Sequence, residues 1–381
     1  MLGMKQRYFC VRILQVNKLY WPHIGGVEKV VQQLGEGLAQ RGHSVTVLAC
    51  GGKRKEEEIN GVKVLRTKTT FKVTGIPFSL GFPFLYRKLA SKADIIIHHY
   101  PNPIGEFSEL LFPSSKPKVV LYHSDVVRQK FLMPLYGFET RLFLKRAKVI
   151  VATSPNYAET SPVLKEFKDK VIIIPLAVDT EFFTPQGPIH PFLEKLRSQG
   201  HRICLYVGRL AYYKGLEYLV RAAADLPDDL LVLIVGEGEE KEKLLRLQED
   251  LHLEKKVLFH PPVKDEELPS LYRGAGVFVL PSIARSEAFG LVAIEAMACG
   301  VPVITTEIGT GTSYYNVHGE TGLVVKPRDS GELSKAIKEV FANSDLPVWG
   351  KNARLRAVRM FSKGYFFEAW SSLLQEKLNQ A

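Results

Sequence analysis

Two carboxylates eight residues apart, Glu287 and Glu295, stand in the run Ser286-Glu287-Ala288-Phe289-Gly290-Leu291-Val292-Ala293-Ile294-Glu295-Ala296-Met297-Ala298, which is otherwise largely apolar. The pattern predicts a helix beginning near Phe289 and Gly290, soon after the strand-like stretch Val277-Phe278-Val279-Leu280. An ionised glutamate buried among such neighbours without a partner costs on the order of several kcal/mol. A polar ligand would remove that cost. On an ideal helix eight residues rise about 12 Å in little more than two turns, so both carboxylates would address one elongated ligand. The free amides of Phe289, Gly290 and Leu291 would face whatever lies at the strand's carboxyl end, which suits a phosphate. The competing reading is a pair of glutamates held by lysines elsewhere in the chain.

Arg209 directly follows the strand-like stretch 203–207 and its glycine, and Lys214 comes five residues later at the mouth of the next helix. Two fixed cations there would neutralise a diphosphate, although either alone also reads as a solvated surface charge. Gly25 and Gly26 allow close backbone approach to a phosphate or a sugar, and Val27 opens an amphipathic helix through Val30, Val31, Leu34 and Leu38. A Gly-Gly pair is equally an ordinary loop. His123 lies just past the stretch 118–122, where a parallel sheet presents functional groups, with Asp125 placed to orient it or to cap the next helix. The alternative is a histidine satisfied behind a site. His98 and His99 close another strand; adjacent strand residues face opposite ways, so no metal site is expected there.

The elements that must position these residues recur as short β-branched runs between helical stretches, at 11–16, 44–48, 94–98, 118–122, 148–151 and 171–174. The series breaks at the loop Thr184-Pro185-Gln186-Gly187-Pro188. It resumes at 203–207, 230–235, 257–259, 277–280 and 303–305. This alternation predicts an α/β protein of two tandem, doubly wound, Rossmann-like domains, residues 1–185 and 186–362. A final helix, 363–381, carries Phe366, Phe367, Trp370, Leu373 and Leu374 and is expected to pack back on the first domain. Ligands of such sheets sit at strand carboxyl ends, so two facing crevices would form one interdomain site.

Five motifs share this order: Pro22-His23-Ile24-Gly25-Gly26-Val27-Glu28, His123-Ser124-Asp125, Gly208-Arg209-Leu210 with Lys214-Gly215, the 287–295 stretch, and Gly319-Glu320-Thr321-Gly322-Leu323-Val324. Together they make essentially the whole chain resemble the retaining GT-B glycosyltransferases of family 4. The resemblance implies that Glu287 contacts the donor sugar's hydroxyls and Glu295 the ribose hydroxyls, with the amides of Phe289, Gly290 and Leu291 completing the donor cradle. It implies that Arg209 and Lys214 bind the diphosphate and stabilise the leaving nucleotide, with no metal and no cofactor beyond the nucleoside-diphosphate sugar itself. It places Gly25 and Gly26 on the acceptor-side wall and brings His123 toward the transferring sugar. No carboxylate nucleophile stands out, which favours front-face attack with the leaving phosphate helping to deprotonate the acceptor. The run 307–316 is similar to bacterial mannosyl- and rhamnosyltransferases of lipopolysaccharide O-antigen synthesis. That implies GDP-mannose or a GDP-deoxymannose as donor and a polyprenyl-diphosphate-linked glycan as acceptor. A UDP-sugar-dependent transferase and a nucleotide-sugar epimerase of the same fold are the alternatives.

Composition bounds these expectations. At 381 residues, with 24% charged and 46% hydrophobic residues, the chain has the profile of a globular protein of about two domains. Cys10, Cys50, Cys204 and Cys299 are scattered, which favours a reducing cytosol. Lys5, Arg7, Arg12 and Lys18 interrupt the apolar residues of the start, unlike a signal peptide, and no run reaches the roughly 18 apolar residues of a membrane span. Residues 1–185 hold 27 Lys and Arg against 15 Asp and Glu, whereas 186–381 hold 24 against 25. The basic first half suggests an anionic partner, and a peripheral place on the inner face of the cytoplasmic membrane is expected. The segment 131–148, where Phe131, Leu132, Phe138 and Phe143 alternate with Arg141, Lys145, Arg146 and Lys148, is the candidate contact; an ordinary core helix with a basic edge fits it equally. A non-catalytic polyanion binder is the alternative of a different class, but no nucleic-acid motif is present and no nucleic-acid partner is expected.

Overall fold

Runs of Val, Ile and Leu without polar interruption form strands buried on both faces, as parallel strands between helical layers must be. The structure is a computed structural model and describes residues 10–23, 25–73, 75–125 and 133–379. Its strands are β1 (Arg12–Val16), β2 (Ser44–Gly51), β3 (Lys55–Ile59), β4 (Val62–Lys68), β5 (Phe71–Val73), β6 (Ile76–Phe78), β7 (Ile95–Tyr100), β8 (Lys118–Tyr122), β9 (Val149–Ala152) and β10 (Val171–Ile173). The series continues with β11 (Arg202–Val207), β12 (Leu230–Val235), β13 (Val257–His260), β14 (Val277–Leu280), β15 (Val303–Thr306) and β16 (Gly322–Val325). The first sheet runs β10-β9-β8-β7-β1-β2-β4-β3, parallel except for the β3–β4 hairpin; β5 and β6 pair separately. The second runs β13-β12-β11-β14-β15-β16 and is parallel throughout.

Each order reverses once, between β1 and β7 in the first sheet and between β11 and β14 in the second. Chain connections leave such a switch point in opposite directions and open a crevice beyond the strand carboxyl ends. The Gly25–Gly26 loop follows β1, Arg209 and Lys214 follow β11, and Glu287 follows β14.

The chain divides into two compact units. One takes the residues up to 153, 161–174 and those from 367 onward; the other takes 154–160 and 175–366. The passage at 174–175 precedes the 184–188 loop expected to mark it, because residues 178–183 are already built into the second unit. Val178 bridges Ser362, and the Arg354 guanidinium holds the carbonyls of Thr180 and Phe183 at 2.8 Å each. Residues 154–160 dock there too: Asn156 donates to Ser313 at 3.1 Å and Arg285 donates to Thr160 at 2.6 Å. The last helix, Lys363–Asn379, joins the first unit from Phe367 onward. A Cβ on Gly37 would fall 1.8 Å from the Phe367 ring, so only glycine makes room for it there, and the Arg41 guanidinium lies 4.2 Å over the same ring.

The helix Met133–Arg146 divides its residues between core and surface: Thr140, Phe143 and Leu144 are buried, while Phe138 and Leu142 are exposed. Arg141 on it pairs with Glu166. Residues 131 and 132 of the expected membrane contact lie outside the described residues, as do the side chains of 133–136. Among the described residues no helix is long and apolar enough to cross a membrane.

Candidate active site

At the second sheet's switch point the β11 and β14 loops meet through a buried ion pair. Lys214 closes the short turn Tyr212–Lys214 after β11, and its ammonium donates to Glu287 Oε2; the two side chains are only 9% and 8% exposed. Ser282 Oγ, just past β14, donates to the same oxygen at 3.1 Å. Burial pulls the Lys214 pKa down, but the Glu287 carboxylate reverses this, so the ammonium ends above its usual range. Tyr206 and Tyr213 stand around it with pKa values raised, first by burial. Both bonds fall on Oε2. Oε1 takes neither of these bonds and lies on the Gly290 side, 3.7 Å from where a Cβ at 290 would stand.

The helix starts where expected, beside Gly290, but Glu287 is not on it. The Gly290 φ of +80° is left-handed, which stops helical continuation, and the helix runs Leu291–Ala298. Glu287 therefore belongs to the preceding loop, its amide bonded to the Ala284 carbonyl at 3.0 Å, and the reckoning of 12 Å along one helix does not apply. A Cβ at 290 would lie 2.6 Å from Leu280 and 2.9 Å from the Tyr315 hydroxyl, so the φ and the packing both demand glycine. Among the described residues the amides of Phe289, Gly290 and Leu291 make no hydrogen bond, and the Phe289 ring packs on Tyr315 and Phe361.

Glu295 is half-buried and accepts from the Tyr272 hydroxyl at 2.8 Å. Its charge is thus met inside the protein, as is that of Glu287, and the reading that each glutamate needs a ligand to be buried is corrected by these partners. The lysine that the competing reading required for Glu287 is Lys214, itself a predicted site residue. Arg209 is exposed and paired with Glu239 at 3.0 Å rather than with Glu287. Its backbone carbonyl accepts from Tyr206 at 2.9 Å, which fixes the loop.

The first sheet presents a different arrangement. His123, 6% exposed, follows β8, with Nε2 3.0 Å from His99 Nδ1; His99 Nε2 is 2.8 Å from Gln15 Oε1. Burial, then the nearby Lys18 ammonium, lowers the His123 pKa to about 3, and burial puts His99 well below its ordinary value. Asp125 accepts from Tyr122 at 2.8 Å and Ser161 at 2.6 Å. His98 faces the other way, to Tyr86 and Phe143, as strand alternation requires. Gly25 caps the helix Gly26–Gln40, and the Glu28 carboxylate folds back to 2.3 Å from where a Gly25 Cβ would be; around Gly26 that space is open. Ile24 of that motif lies outside the described residues. Among the described residues no group of three or more His, Cys, Asp or Glu could hold a metal ion.

The structure therefore brings Lys214 and Glu287 into contact, whereas Arg209, in the loop after β11, and Glu295, on the helix Leu291–Ala298, have partners of their own. Sequence reading did not single out Ser282, Tyr206, Tyr213, Gln15 or His99 as site residues. The signal for His99 was the period-two alternation of β7 and β8, which puts His99 and His123 on one face.

Residues 24–182 match the family described as Glycosyltransferase Family 4, and residues 192–356 match Glycosyl transferases group 1. O-antigen chain mannosyltransferase C of Escherichia coli is 34% identical over 95% of this chain and 98% of its own length. D-rhamnosyltransferase WbpZ of Pseudomonas aeruginosa is 35% identical over 92% of each. Among solved structures, sucrose-phosphate synthase from Thermosynechococcus elongatus superposes with a TM-score of 0.77 at 24% identity, covering 97% of this chain and 100% of that one. Anabaena HepE in complex with UDP gives 0.77 at 20% identity over 96% and 100%. Those two likenesses establish the fold, and the full-length relatives establish the kinship: the chain belongs to glycosyltransferase family 4 and is a glycosyltransferase of GT-B fold.

Proposed function

We propose that this glycosyltransferase moves a hexosyl unit of mannose or rhamnose type, with retention of configuration, from a GDP-linked sugar to a hydroxyl of a polyprenyl-diphosphate-linked glycan in cell-surface polysaccharide synthesis. The observation that carries the donor half is the buried Lys214–Glu287 pair at a parallel-sheet switch point, with both of its bonds on Glu287 made by Oε2. In this reading the Glu287 Oε1 atom accepts a sugar hydroxyl. Lys214 turns its remaining N–H groups to the diphosphate, and Arg209 exchanges Glu239 for a phosphate oxygen. Charge building on the leaving nucleotide then meets a cation already fixed in place, so little reorganisation accompanies bond breaking. The helix-start amides of Phe289, Gly290 and Leu291 add donors to the same anion. Support for the sugar class comes from the full-length similarity to the mannosyl- and rhamnosyltransferase.

The acceptor's lipid carrier calls for a membrane surface, and the first unit offers features that suit one. Leu80, Phe84, Phe107, Leu111 and Phe138 are exposed, and a groove is lined by Arg54, Lys63, Lys88 and Lys92. The enzyme then works peripherally on the cytoplasmic face.

A donor screen with GDP-mannose, GDP-rhamnose and UDP-glucose, with and without a polyprenyl-diphosphate-linked glycan, tests the reading. The expected result is acceptor-dependent release of GDP, lost in Glu287→Ala. Preference for the UDP-sugar overturns the donor assignment. Donor conversion without acceptor points to an epimerase, and unchanged transfer in both Glu287→Ala and Lys214→Ala removes the site.

A further inference from the structure

We propose that Gln15 and His99 are positioning residues that fix His123 in one tautomer, with the proton on Nε2, so that Nδ1 meets a sugar hydroxyl as a hydrogen-bond acceptor. The inference rests on the reading of His123 as a sugar-facing group; the relay itself stands on geometry within the first unit.

Strand register builds the relay. Gln15 on β1 pairs with Ile97 on β7, and His99 on β7 pairs with Leu121 on β8. Side chains alternate along a strand, so Ile97 and His99 share a face, as do Leu121 and His123. Gln15, His99 and His123 therefore climb diagonally across three parallel strands, each displaced toward the carboxyl end from the one before. The rings of His99 and His123 are nearly coplanar, at 12°. Gln15 and His99 are fully buried. Gln15 has room because position 35 is glycine: a Cβ there would lie 2.7 Å from its Nε2.

Donor parity then sets the proton positions. Oε1 of Gln15 only accepts, so His99 Nε2 must carry a hydrogen. A neutral imidazole has one N–H, which makes His99 Nδ1 an acceptor and obliges His123 Nε2 to donate. The lone pair of His123 is left on Nδ1. Neutrality along the chain is secured by burial and by the Lys18 ammonium, which both oppose a second proton on His123. The opposite orientation of the Gln15 amide would invert every donor and acceptor, so a measurement of the tautomer reads the relay directly.

The experiment is side-chain 15N NMR on the full-length protein labelled at histidine, with the His123 signals identified by their loss in His123→Gln. The expected spectrum has a pyrrole-like Nε2 and a pyridine-like Nδ1 for His123, unchanged from pH 8 to pH 5. Gln15→Leu is expected to release the tautomer and to lower kcat about tenfold while leaving the donor KM within about twofold. Gln15→Glu puts a carboxylate beside His99 and favours its doubly protonated form, which donates from Nδ1, so the His123 tautomer is expected to invert. Gly35→Ala provides a variant outside the relay: alanine favours a helix, yet its methyl displaces Gln15, and the same loss of kcat is expected from a protein that is still folded. A pyrrole-like Nδ1 on wild-type His123 overturns the relay without any mutation. A released tautomer with kcat unchanged in Gln15→Leu instead overturns the role of His123 at the sugar.

Discussion

The carboxyl ends of the two sheets solve the same problem in opposite ways. In the second, Lys214 and Glu287 are buried and charged; in the first, His99 and His123 are buried and neutral. Desolvation opposes charge at both. At Lys214 the neighbour is a carboxylate, and its attraction overrides burial. At His123 the neighbouring charge is Lys18, and its repulsion adds to burial. The partner, rather than the depth, decides whether a buried group is ionised. An end that keeps its charge suits an anionic diphosphate, and an end that sheds it suits uncharged hydroxyls.

The contrast is broken most directly at the ion pair. Lys214→Ala and Glu287→Ala should each lower kcat by on the order of a hundredfold or more and lose about 3–5 kcal/mol of stability, read by urea unfolding. The double variant Lys214→Met with Glu287→Leu should recover most of that stability and none of the activity. A single variant as stable as the wild type would show that the pair does not hold the two loops together.

Acid should act on the other sheet. Folded His98 and His123 titrate near 3, both depressed first by burial, whereas unfolded histidines titrate near 6.5. The unfolded first unit therefore binds protons that the folded one refuses. The contribution of the neutral histidines is complete above about pH 6.5 and declines as pH falls toward about 3. Hydrogen exchange between pH 7 and pH 4.5 should show protection lost in the first unit before the second. Equal loss in both would dissolve the contrast.

Smaller effects sharpen it. Tyr272→Phe removes the hydroxyl that meets Glu295 and should cost about 1 kcal/mol in thermal unfolding, with a severalfold rise in donor KM. Arg209→Ala breaks an exposed pair, so stability should stay within about 0.5 kcal/mol. Its donor KM should still rise about tenfold if the guanidinium takes a phosphate.

The parallel strands were legible because a strand buried on both faces is written as an apolar run, as in 230–235. The hairpin β3–β4 was not: Lys55-Glu56-Glu57-Glu58-Ile59 is a charged edge strand whose identity depends on its pairing with β4. The residues around the site were legible as types and not as partners. Nothing local to Glu287 names Lys214, which is 73 residues earlier in the chain. Likewise, the link from Gln15 to His123 exists only once the register of β1, β7 and β8 is set. The helix start near Gly290 was legible; what failed was the reckoning that carried the helix back to Glu287, because only the left-handed backbone at 290 shows that Glu287 stays in the loop.

The notch at Gly37 that receives Phe367 has a consequence for how the protein is made. The unit that a ribosome begins first is the one it finishes last, since its packing takes in residues beyond 366. The second unit can close while the first still waits for its final helix. Until residue 367 is made the notch at Gly37 has nothing to receive, and a bulkier residue at 37 would leave the last helix without its seat even with the second unit intact.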